Sequence, residues 1–145
     1  MFSILINKIT SLLTANGLLA DVYNYEVEQF KGDPTAVVTP SGNESDYSTL
    51  SSNKRVYAFN IKVFLTRTNR TKDQTDVALR QLVDTILDDF DADYTFAGLS
   101  VPQGYTMVNV WAMPSQWGYA GREDEYRVAE IVVKCRVDVD ITNVV

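Results

Sequence analysis

The chain has 145 residues, a formal net charge of −6, an apolar fraction of 46% and a charged fraction of 22%. A chain this long buries roughly 70% of the surface its unfolded form exposes, so the composition predicts one domain, 1–145, with a core that needs no disulfide or metal. The acidic balance argues against wrapping nucleic-acid phosphates with Lys and Arg. The lone cysteine, Cys135, excludes an internal disulfide.

Phe2, Leu5, Ile9, Leu12 and Leu13 recur at helical spacing, and Asn16-Gly17 supplies a stop, predicting a helix over 2–15. This opening run is apolar, but Asn7 and Lys8 interrupt it and no leading basic region or cleavage pattern marks it for export. The reading expects a protein made or assembled in a cytoplasm. Val22–Val27 reads as a strand, Gly32-Asp33-Pro34 as a turn, and Thr35–Thr39 as a second short strand ending at Pro40. The polar stretch 41–53 reads as a long loop whose only large apolar residues are Tyr47 and Leu50.

From Tyr57 to Leu65 every odd residue is apolar, whereas Asn60, Lys62 and Thr66 are polar, the signature of a strand buried on one face. A basic loop follows, with Arg67, Arg70 and Lys72. The period then changes to 3.6 through Leu79, Leu82, Val83, Ile86 and Phe90, predicting a helix over 73–90. Thr71 and Gln74 have the spacing of a capping box. Asp84, Asp88, Asp89, Asp91 and Asp93 crowd the far end of this helix, where they oppose its macrodipole at a few tenths of a kcal/mol each when exposed. Tyr105–Met113 is the next strand, closed by Pro114. A second loop over 114–124 carries Trp117 and Tyr119. The last strand alternates strictly from Ala129 to Ile141.

No catalytic constellation accompanies these elements. The chain has no histidine, the usual general base and commonest metal ligand. Cys135 falls on the apolar side of its strand, a buried and inert position. No nucleophile elbow, phosphate loop or dinucleotide fingerprint is present. Asp89-Phe90-Asp91-Ala92-Asp93 imitates the start of a calcium loop, but the sixth and twelfth positions hold Tyr94 and Ser100, not the required Gly and Glu. The residues therefore predict a non-enzymatic protein with no cofactor and no metal site. Its candidate contacts are the basic loop Arg67, Arg70 and Lys72, the acidic helix end Asp84, Asp88, Asp89 and Asp91, and the aromatics Tyr47, Trp117 and Tyr119 of the two loops.

The order of elements resembles the tail terminator, or tail completion, proteins of long-tailed non-contractile phages such as lambda. A leading helix is followed by Pro34-Thr35-Ala36-Val37-Val38-Thr39-Pro40 and a polar stretch. Next come the strand Arg55–Phe64 and one amphipathic helix. A Trp- and Tyr-bearing segment then leads into Tyr126–Val133. The resemblance implies an α+β fold with a mixed, mostly antiparallel sheet packed against the N-terminal helix and one long amphipathic helix. It further implies a virion protein of the tail neck, assembled in the host cytoplasm. Such a protein forms a ring, usually a homohexamer, at the head-proximal end of the tail tube. The ring stops tube growth and offers a surface for head joining. Its partners are then copies of itself, the major tail tube protein and a head–tail connector or stopper protein. DNA passes through without specific binding, and no membrane is involved. Two alternatives stand beside this reading: another connector or stopper protein, and a non-viral module that binds a ligand or peptide.

Overall fold

The computed structural model describes residues 1–46 and 51–142; Tyr47 and Leu50 lie outside the described residues. The elements run in the order α1 (Phe2–Ala15), β1 (Asp21–Tyr23), β2 (Thr35–Asp46), β3 (Ser52–Thr66), α2 (Lys72–Ala92), β4 (Tyr105–Ala120) and β5 (Tyr126–Asp140), with a short 3-10 turn at Arg122–Asp124. The strands form one open sheet in the order β1-β2-β3-β5-β4. Only the β1–β2 pairing is parallel. The fold is α+β, with both helices on one face of the sheet.

The alternation read in the sequence explains which face that is. β3 and β5 pair so that odd residues meet odd residues: Tyr57 with Cys135, Phe59 with Val133, Ile61 with Ile131, Val63 with Ala129. All of these are buried and form one core with Leu5, Ile9 and Leu13 of α1 and Leu79, Val83, Ile86 and Phe90 of α2. Phe2 caps this core edge-on to Tyr57 and Phe59, at ring separations of 4.8 and 5.7 Å. Gly17 takes a φ of +71° just after α1, the left-handed stop that a Cβ would disfavour. The capping box at Thr71 is formed in both directions, each bond relieving an orphan N–H.

Four sequence expectations change. The strand expected over Val22–Val27 is only Asp21–Tyr23, because the chain leaves the sheet edge so that Phe30 can pack on Phe64 and Tyr126. The segment 41–53 is not a loop as a whole: β2 continues through Asp46 opposite Lys54–Ala58, and Ser52 and Asn53 already belong to β3. Residues 114–124 are likewise mostly strand and turn, since β4 continues to Ala120. Neither Pro40 nor Pro114 ends its strand. Each stands where its strand has a sheet neighbour on one side only, so its missing N–H breaks no ladder, and a bulge follows each one. Among the described residues no helix is long and apolar enough to cross a membrane.

Candidate functional site

The basic loop and the two loop aromatics come together at one end of the molecule. β4 and β5 join as a hairpin whose turn lies beside the basic loop, where the Arg67 N–H donates to the Glu125 carbonyl, and Trp117 and Tyr119 stand on its helix side, paired opposite Ala129 and Arg127. Arg127 organises this corner. Its Nε donates to Asp76 of α2 at 2.7 Å, its Nη1 donates to the Gly118 carbonyl at 2.8 Å, and its guanidinium lies 4.6 Å from the Tyr119 ring centre and 5.9 Å from that of Trp117. Stacking and a charge-assisted bond thus tie the hairpin to the start of α2. Arg67 covers Tyr119 at 5.5 Å and donates to the Asp124 carbonyl at 2.9 Å. Arg70 pairs with Asp33 at 3.2 Å and donates to the Thr66 carbonyl. Lys72 is exposed on the first turn of α2. Trp117 and Tyr119 remain about 40% exposed, a platform of the composition that dominates interface energetics. Nearby, burial foremost, then the charges of Glu125 and Asp33, raises the Tyr126 hydroxyl above its ordinary range. Arg127, the residue that holds the corner together, is absent from the sequence-based candidates. Its alternate position with Tyr119 across a hairpin was the only available sign.

The acidic end of α2, from Asp84 to Asp93, lies about 12–26 Å from Asp76 along the helix axis, at about 1.5 Å per residue. Two of its carboxylates are compensated by α1: Lys8 pairs with Asp93 at 3.1 Å, and the Asn16 side-chain amide donates to Asp89 at 3.2 Å. Part of the dipole cost is therefore offset by tertiary contacts. Asp84, Asp88 and Asp91 form a separate stripe at i, i+4 and i+7 on the exposed side, and among the described residues no partner faces them.

The third surface is the face of the sheet away from the helices. The register sets out three rows across β2, β3, β5 and β4: Thr39, Asn60, Val132, Met113; Gly42, Ala58, Lys134, Trp111; Glu44, Val56, Arg136, Asn109. Val56, Ala58, Val132 and Trp111 are only half-buried, and Met113 is exposed. Phe30 packs on Phe64 and Tyr126 at the adjoining end, and Glu26, Val27 and Phe30 line a groove there with Val37, Thr39 and Lys62. By contrast Cys135, on the other side, is fully buried, and burial lifts its thiol to about 12, consistent with an inert core residue.

No family model and no curated protein matches the sequence. The fold does match solved chains. One belongs to the virion of a native gene transfer agent particle, with a TM-score of 0.56 over 92% of this chain and 94% of that chain, at 17% sequence identity. At this identity the likeness is one of fold, and it runs over nearly the whole length of both chains.

Proposed function

We propose that this protein is a structural component of a tailed, phage-like virion, and within it the tail terminator. The observation that carries the first step is the end-to-end likeness of fold to a chain from a gene transfer agent virion. The second step rests on the order and length of elements that resemble tail terminators. In this reading copies of the chain meet head to tail and close into a ring, most simply a hexamer, on the last layer of the tail tube. The ring blocks further addition of tube subunits and presents its other side to a connector or stopper protein. The charge of −6 suits a channel through which DNA slides without sticking.

The surfaces divide naturally between these tasks. The rigid platform of Trp117, Tyr119 and Arg127 caps one end of the sheet, where it can meet a tube or connector subunit. The polar β2–β3 pairing of Gly42–Asp46 with Lys54–Ala58 lies at the opposite end of the strands. Arg67 and Arg70 already have internal partners, so their part is to shape the platform more than to pair with a neighbouring copy.

Negative-stain imaging of the purified protein with isolated tail tubes tests the reading. Rings at one tube end, with tube length no longer increasing on addition of tube subunits, are the expected outcome. Rings that ignore tubes but bind the portal-proximal adaptor would move the assignment to a connector or stopper. A protein that stays monomeric and touches neither would remove it from the virion joint altogether.

A further inference from the structure

We infer that the open face of the sheet is the seat of α2 from the next copy, with Lys134 and Arg136 receiving Asp84, Asp88 and Asp91. This inference rests on the ring reading and specifies its joint. A sheet with helices on one side and a partly apolar second face ordinarily has that second face covered by another layer. Here the floor of the open face is Val56, Ala58, Val132, Trp111 and Met113. From its middle rise Lys134 and Arg136, successive open-face residues of β5, and among the described residues neither pairs with a carboxylate. Lys62 and Lys54 on β3 sit directly opposite Glu130 and Asp138 of β5, so each has an opposite charge as cross-strand neighbour. Lys134 and Arg136 instead face Ala58 and Val56 on one side and Trp111 and Asn109 on the other. The carboxylates nearest to them on this face are Glu44, two strands away in the row of Arg136, and Asp138, the next open-face residue of β5, and among the described residues neither forms an ion pair with them.

The complementary feature is on the far side of the same chain. Asp84, Asp88 and Asp91 line the exposed side of α2, where like charges at i, i+4 and the helix dipole both work against the isolated subunit. The spacings agree. Two residues of strand separate Lys134 from Arg136 by about 6.7 Å, and one helical turn separates Asp84 from Asp88 by about 6 Å. A helix laid along β5 therefore brings each cation to a carboxylate while its backbone rests on the apolar floor. The acidic stripe and the open face are on opposite sides of one subunit, so the joint is head to tail and repeats, as a ring requires. Its charges fix register and direction more than affinity.

Charge reversal tests the joint. Lys134→Glu with Arg136→Glu is expected to abolish rings, seen as a shift to monomer mass in sedimentation velocity, with the circular dichroism spectrum unchanged. Asp84→Lys with Asp88→Lys is expected to do the same. Mixing the two variants is expected to restore rings in which they alternate, because the native acidic helix of the first meets the native basic face of the second and the reversed helix of the second meets the reversed face of the first; combining all four changes in one chain is expected to restore the ring as well. Wild-type rings that persist in both reversed variants would overturn this joint and leave the ring reading standing. Failure of the four-fold variant to regain rings would also overturn it. A wild type that stays monomeric, alone and on tail tubes, would overturn the ring reading and the joint together.

Discussion

The two faces of the sheet are made from the same strands by alternate residues, yet they obey different rules. On the helix side Phe59, Ile61, Ile131, Val133, Cys135 and Val137 are completely buried. On the open side Val56, Ala58 and Val132 share their rows with Asn60, Lys134 and Arg136. The first face sets the stability of the subunit. The second contributes little to it and is free to carry recognition. A core and an open surface can thus be told apart within a single strand, by which side of the pleat a residue occupies.

The contrast can be broken by mutation. The largest effect is expected at Phe59, which packs in the core beneath Phe2: Phe59→Ala is predicted to cost about 3–5 kcal/mol in urea unfolding, the usual penalty for emptying an aromatic core site. A loss below about 1 kcal/mol, within the ordinary range for surface changes, would mean the helices do not close on this face.

Cys135 sharpens the same point through pH. Its thiol rises from the ordinary 9.0 to about 12 because burial disfavours the thiolate. The folded state therefore holds its proton where the unfolded state releases it, so this contribution is intact below about pH 9 and declines as pH climbs towards about 12. The stability gap between wild type and Cys135→Ala is expected to narrow over that window. A gap that stays constant, or a thiol that reacts with a disulfide reagent without unfolding, would place Cys135 nearer solvent than the fold does.

A smaller loss is expected at the edge of the helix side. Arg127→Ala removes the pair with Asp76 and the stack on Tyr119, and is predicted to cost about 1–2 kcal/mol, since Asp76 is partly exposed and the pair partly screened. It should also free the hairpin tip, visible as faster amide exchange over 115–124. The smallest effect is reserved for the open face. Val132→Thr is expected to stay within about 0.5 kcal/mol of wild type in a dilute monomer. A core-sized penalty there would erase the distinction between the faces.

The platform and the acidic stripe show how far the residues could be followed unaided. Trp117, Tyr119 and the basic loop could be singled out by type, but their convergence on Arg127 depends on a β4–β5 register with a bulge, which no local pattern announces. The same holds for Asp89 and Asp93. Their compensation by Asn16 and Lys8 comes from a helix more than seventy residues away, and it separates them from Asp84, Asp88 and Asp91 only once the two helices cross.

What the sequence determined alone is what depends on neighbours a few positions apart. That covers the helical period of α1 and α2, the capping box at Thr71, the two-residue alternation of β3 and β5, and hence an α+β fold with one greasy face. Hydrophobic periodicity and local hydrogen-bonding chemistry are readable there because burial repeats with the geometry of the element. The tertiary structure alone decided where strands end. Backbone pairing across the β2–β3 and β4–β5 hairpins carries polar stretches and two prolines into the sheet, because edge positions need no donor on their outer side. It also decided that the second face of the sheet stays open, since helices cover one side only and nothing local to β3 or β5 states which layer, if any, will lie on the other.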